Sequence, residues 1–204
     1  MDQQKDAQPI QRRARGLQRM ASILDAAETV FAHMGYEEAT TNHIAAQAAI
    51  SPGSLYQFFS NKEEIALALA SRYTEELRQA YDTVFSVERA ELPFSLWLDQ
   101  VIDTLLAFHL AHPAFHILLT TPVSSRVTKL THALPQELQS HFEIGLQRRA
   151  PALTSAQCSL SALMSVQIFK AALLLILQEE EERKRLIVQE LKNALHRYLE
   201  PFLS

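Results

Sequence analysis

The sequence predicts an all-α chain, and three observations carry the prediction. Glycine is scarce, with 4 in 204 residues, so glycine-rich turns and loops are few. Apolar residues recur at three- and four-residue intervals and do not alternate as they would in half-buried strands. Proline and capping residues fall at the joints between these periodic stretches.

The elements follow in order. Residues 1–17 hold Arg12, Arg13 and Arg15 with no apolar rhythm and are expected to form a flexible basic arm. Met20, Ile23, Leu24, Ala27, Val30, Phe31 and Met34 then keep helical spacing over about residues 18–34, and Gly35 stands where a C′ glycine ends a helix. Thr40 is the expected N-cap of a short helix carrying Ile44 and Ala45, which breaks at Ala49-Ile50. Ser51-Pro52 restarts the chain with a capping serine and a proline at the first helical position, opening a helix to about Phe59. Ser60-Asn61-Lys62-Glu63 reads as a capping box for a long helix carrying Ile65, Leu69, Tyr73 and Leu77. Prolines 93, 113, 122, 135 and 151 divide the remainder into helices over about 93–111, 113–120, 124–149, 154–178 and 181–202. Thr154 to Gln157 is a second capping box. The helix it opens has Leu160, Leu163, Met164, Ala171, Leu174 and Leu175 on one side and Ala162, Val166, Phe169, Leu173 and Ile176 on another. A helix apolar on both sides must be covered on both. The last helix adds Leu191, Leu195 and Tyr198, so a homodimer is the simplest cover, and its interface is expected at Leu163, Val166, Phe169, Leu173, Leu191, Leu195 and Tyr198.

Composition removes several function classes. The glycines at 16, 35, 53 and 145 cannot form a dinucleotide fingerprint, a P-loop or a nucleophile elbow. Cys158 stands alone, so no disulfide framework or Cys-x-x-Cys pair exists, and a reducing compartment is expected. It reads as a small buried residue and not as a redox sensor. His109, His112 and His116 lack a nearby acid or thiol and read as a polar cluster at a helix turn, so no metal, cofactor or enzymatic activity is expected. Ala150 to Phe169 lacks charge but is punctuated by Ser, Thr and Gln, and the first twenty residues have no apolar signal core; a cytoplasmic protein without a membrane partner is expected. The formal net charge of −4 confines any nucleic-acid affinity to a local patch.

Two short helices joined by a tight turn, the second beginning Ser51-Pro52-Gly53-Ser54, describe a helix-turn-helix whose small tip can approach a major groove. The stretch ILDAAETVFAHMGYEEATTNHIAAQAAISPGSLYQFFSNKEEI, Ile23 to Ile65, resembles the tetracycline-repressor (TetR) family of bacterial transcription regulators. The matches are Gly-aromatic after the first helix, Thr-Thr, Ile-Ala, Ser-x-Gly, Leu-Tyr-x-x-Phe and Asn-Lys-Glu-Glu. The resemblance implies a basic arm over 1–17, a three-helix DNA-binding unit over 18–60 and an effector-binding and dimerisation helical bundle over 61–204. It implies backbone or base contacts from Thr41 and Asn42, major-groove contacts from Pro52, Gly53, Ser54 and Gln57, and a phosphate contact from Tyr56. Lys62, a cation in a helix first turn, is expected to meet a DNA phosphate, and Arg12, Arg13 and Arg15 the minor groove or phosphates. Phe94, Trp97, Phe108, Phe115 and Phe142 fall where the family places its effector cavity. The implied function is a repressor that binds a palindromic duplex as a homodimer, with half-sites roughly 34–36 Å apart, and is released by a small apolar or amphipathic effector. Two departures stand out: the family carries glycine where this chain has Ala49, and a polar ring where it has Phe58. They and the acidic charge support the alternative of a helical ligand-carrier or adaptor dimer without DNA binding.

Overall fold

The computed structural model describes residues 7–202, with side chains from Arg13 onward. The helices are α1 (Ala7–Glu38), α2 (Thr41–Gln47), α3 (Pro52–Tyr56), α4 (Lys62–Val84), α5 (Val87–Ala90), α6 (Phe94–Ala111), α7 (Pro113–Thr120), α8 (Ser125–Arg149), α9 (Ser155–Ile176) and α10 (Glu181–Leu199), closed by a 3-10 turn at Glu200–Phe202. Among the described residues there is no strand, as an all-α chain requires.

Most joints obey the capping chemistry. Thr40 accepts from His43 N at 3.1 Å, Ser51 from Ser54 N at 3.1 Å, and Thr154 with Gln157 completes a reciprocal capping box. Gly35 takes φ 77° and ψ 171°, a glycine conformation that interrupts α1. Besides α3 ending at Tyr56, short of the expected Phe59, three details differ from the sequence expectation. The segment expected as an arm is helical from Ala7, because Gln, Arg and Ala are good helix formers and a solvated helix needs no apolar stripe. The cap of α4 is Asn61, not Ser60: Glu64 N donates to Asn61 Oδ1 at 2.9 Å. A single helical turn, α5, fills the stretch before Pro93.

The chain divides into two compact units, Met1–Tyr73 with His112–Thr131, and Thr74–Ala111 with His132–Ser204. This differs from a cut after residue 60, since α7 and the first part of α8 fold with the N-terminal helices. Within the first unit α7 packs on α1, and the Phe115 ring meets Tyr73 edge-on at 5.5 Å. Arg72 donates to Asp25 at 2.6 Å and to Glu28 at 3.1 Å, while His112 Nδ1 bonds the other Glu28 oxygen at 2.9 Å. Ile23, Phe31, Ile44, Leu55, Ile65 and Leu69 are buried in this unit. These partners lie far apart in sequence, which is why a reading of local pattern does not find them.

In the second unit α10 packs on α9 and on α6. Lys192 meets Asp103 at 2.7 Å and His196 meets Asp99 at 2.9 Å, joining α10 to α6. The inner side of α9 carries small and hydroxyl residues beside its apolar ones: Cys158, Ser161, Ala162 and Ser165 are buried with Val166, Phe169, Leu173 and Ile176. Ser165 satisfies its hydroxyl by donating to Ser161 O at 2.8 Å. By length and composition α9 could cross a membrane, but that inner side is already packed within the unit. Burial also pushes the Cys158 thiol up, away from the reactive thiolate.

Candidate functional site

The turn between α2 and α3 is a Schellman motif. Ile50 N donates to Ala45 O at 3.0 Å and Ala49 N to Ala46 O at 3.1 Å, the paired bonds that satisfy the last carbonyls of a helix. The motif needs a left-handed residue at C′, and Ala49 is that residue, with φ 53°. An L-residue there carries strain of about 1–2 kcal/mol, so the departure from glycine noted in the sequence falls on the position that most needs glycine. The fold keeps the turn regardless. Leu55 is fully buried beneath α3, anchoring a five-residue helix that leaves Pro52, Gly53 and Gln57 exposed and Ser54 half-exposed.

Thr41 and Tyr56 are brought together, with Thr41 Oγ1 and the Tyr56 hydroxyl 2.9 Å apart. Tyr56 is 52% exposed, so its ring is not core, whereas Phe59 is buried. Asn42 is exposed on the same short helix as Thr41. Ser51 and Ser54 share a hydroxyl contact of 2.9 Å. A β-carbon added at Gly53 would meet nothing closer than Ser51 Oγ at 3.9 Å, so nothing inside the protein requires glycine there. A glycine free of internal demand, on an exposed helix tip, fits close approach by another molecule.

Arg15 and Arg19, one helical turn apart on α1, line one open cleft with Ser54, Gln57 and Ala49. Both are exposed, as is Arg13, and none of the three has a carboxylate partner among the described residues. The Arg12 side chain lies outside the described residues. Arg19 is a site candidate that the sequence-based set lacked; its i, i+4 spacing from Arg15 was the available signal once the segment is helical. Lys62 has a different environment from the one expected. Its ammonium donates to Tyr36 O at 2.6 Å and Glu37 O at 3.0 Å and lies 4.3 Å from the Tyr36 ring centroid. Its acceptors within the chain are backbone carbonyls at the end of α1, which use two of the three ammonium N–H groups.

The expected effector aromatics divide between the two units. Phe115 packs on Tyr73 in the first unit. Trp97 stacks on Phe142 at 5.2 Å with 19° between planes, donates Nε1–H to Val84 O at 3.1 Å and has Phe94 at 5.6 Å. Phe108 is buried beside His109. The second unit holds an apolar cavity of about 20 Å³ lined by Leu98, Ile102, Leu105, Phe142 and Phe169 among others; Phe142 is the one expected residue that lines it. The expected dimer residues are also redistributed. Val166, Phe169, Leu173, Leu191 and Leu195 are buried within the chain, and Tyr198 is half-buried. The exposed side of α9 is Leu160, Leu163, Met164, Leu174 and Leu175, so Leu163 alone of the α9 choices faces outward.

An N-capped helix pair joined by a Schellman turn, with a small-residue tip, two exposed arginines beside it and a tyrosine–threonine pair on its flank, defines a helix-turn-helix DNA-binding regulator. The model of "Bacterial regulatory proteins, tetR family" matches residues 23–69, and that of "Tetracyclin repressor-like, C-terminal domain" matches residues 93–199. The chain therefore belongs to the TetR family of transcriptional regulators. It is 24% identical over 162 residues to the uncharacterized HTH-type transcriptional regulator YhgD of Bacillus subtilis (strain 168), covering 76% of this chain and 82% of that one. It is 40% identical over 70 residues to the HTH-type transcriptional activator FasR of Mycolicibacterium smegmatis (strain ATCC 700084 / mc(2)155), 32% of each chain. The SmeT–triclosan complex shares the fold, with a TM-score of 0.69 and 18% identity over 91% of this chain and 92% of the other.

Proposed function

We propose that the protein is a cytoplasmic homodimeric repressor that binds a palindromic operator and is released by a small apolar or amphipathic effector. The observation that carries the reading is the unencumbered tip of α3, where Pro52, Gly53 and Gln57 stand exposed and Gly53 answers no internal need. In this reading Gln57 and Asn42 meet base edges, and Thr41, Ser54 and Tyr56 meet the backbone. Arg13, Arg15 and Arg19 supply the positive charge that the chain as a whole lacks. Lys62 then acts on DNA indirectly, by fixing the end of α1 against the start of α4.

A second copy of the chain is the natural cover for the apolar side of α9, on which Leu160 is 59% and Leu175 54% exposed. Two copies related by a two-fold axis present two α3 helices to one duplex. The cavity of about 20 Å³ has room for little more than one water, so an effector there must select a different packing of the second unit. Helix α4 belongs to both units, Lys62–Tyr73 to one and Thr74–Val84 to the other, and offers a covalent route for that change. Release follows if the effector prefers the conformation that holds DNA poorly. The SmeT–triclosan complex supports small-molecule binding in this fold.

The test is sedimentation of the protein with and without Leu174→Glu, alone and with a duplex it binds. Wild type is expected to run as a dimer and to load one dimer per duplex, and the variant as a folded monomer with weak binding. A wild-type monomer that binds the duplex as tightly as any dimer overturns the reading.

A further inference from the structure

Three arginines are half-buried among the described residues: Arg72, Arg89 and Arg149. Arg72 meets Asp25 and Glu28. The other two meet no carboxylate among the described residues. Arg149, the last residue of α8, donates Nη2–H to Arg89 O at 2.8 Å and lies with its guanidinium carbon 4.3 Å from the Trp97 ring centroid. Its buried Nε–H finds no acceptor among the described residues. Arg89 donates Nη1–H to the neutral Gln100 side chain. The acids closest in sequence, Glu88 and Glu91, form no ion pair with either arginine. Helix-end carbonyls offer partial negative charge, but two half-buried cations share a neighbourhood of rings and amides with no full anion among the described residues. Desolvation, with Arg148 adjacent, lowers the Arg149 pKa, the direction of a charge that lacks compensation.

We propose that Arg149 and Arg89, beside Trp97, form a binding site for a small organic carboxylate. The carboxylate would accept charge-assisted hydrogen bonds from the guanidinium N–H groups that the Arg89 carbonyl and Gln100 leave unused. The site goes beyond the effector reading, because it can fill whether or not DNA is released, and its assay contains no DNA.

Trp97 is the single tryptophan of the chain, so its fluorescence, excited at the red edge of its absorption, reports on the site directly. The purified full-length protein is titrated with sodium benzoate, with its neutral isostere benzamide, and with sodium chloride at matched ionic strength. Benzoate is expected to produce a saturable change that benzamide and chloride do not. Arg149→Gln is expected to weaken benzoate binding by about tenfold or more, and Arg149→Lys by less. Should Arg149→Gln fail to fold, Arg89→Gln and the benzoate-to-benzamide ratio on wild type decide the matter. Equal responses to benzoate and benzamide, no saturable response to benzoate, or an Arg149→Gln protein that folds and binds benzoate like wild type would each show that Arg149 only clasps the Arg89 carbonyl.

Discussion

Gly53→Ala separates a DNA-facing glycine from a structural one. In the free protein the new methyl would meet only Ser51 Oγ at 3.9 Å, an ordinary contact, and Gly53 is not in the left-handed region. Alanine in a helix gains roughly 0.5–1 kcal/mol over glycine, and at the second position of a short helix the lower end applies. For a chain of this size that corresponds to a rise of about 1–2 °C in Tm. The DNA consequence has the opposite sign. A methyl at the tip of α3 holds the helix back from the groove and loses the value of about one base contact, 1–3 kcal/mol, or roughly 5- to 150-fold in affinity. Thermal melting followed by circular dichroism and fluorescence anisotropy with a labelled duplex, both at one fixed salt concentration, measure the two effects. An affinity equal to wild type with raised stability would refute the placement of Gly53 at DNA, and a fall in Tm would show that the protein itself needs the glycine.

Further outcomes follow from single contacts. Ala49→Gly relieves the residue at φ 53° and should stabilise by about 1 kcal/mol, read by urea unfolding. Lys62→Ala removes the bonds to Tyr36 O and Glu37 O and should destabilise by about 1 kcal/mol; the log-log salt slope of DNA binding should stay unchanged, and a slope lower by about one phosphate would restore Lys62 as a DNA contact. Gly145→Ala would put its β-carbon 2.8 Å from the Trp97 ring and should cost about 1–3 kcal/mol with a shift in tryptophan emission. Burial holds the His116 pKa below its usual value, so the folded chain takes up protons less readily than the unfolded one. Its share of stability is therefore complete above about pH 6.5 and declines as pH falls below it, and His116→Gln should flatten that part of a stability-versus-pH curve.

Much of the fold was legible because its punctuation is local. Thr40, Ser51, Pro52, Thr154 and Gly35 act within four residues of themselves, and each occupies the cap or break its chemistry suggests. Asn61 displaced Ser60 as a cap by one residue, a choice between two good acceptors that spacing alone does not make. The features less legible in the sequence depend on partners distant in the chain. The carbonyls that hold Lys62 lie 26 and 25 residues away, and helix-dipole reasoning on α4 alone sees no acceptor. On α9 both sides are apolar, and periodicity does not say which faces its own unit. The discriminating signal was residue size: the packed side bears Cys158, Ser161, Ala162 and Ser165, which let a neighbouring element come close, and the exposed side bears Leu and Met. Pocket aromatics were the least legible, since a ring fills a core as readily as it lines a cavity.

The central claim, a sequence-specific dimeric DNA reader built on α3, is tested most directly by selecting binding sites from a random duplex pool with the purified protein at near-physiological salt. Enrichment of a palindrome with half-site centres about one helical turn apart, weakened on Gly53→Ala and altered in base preference on substitution of Gln57, is the predicted result. A folded, dimeric protein that enriches no sequence would contradict the account and favour a ligand carrier or adaptor on the same scaffold.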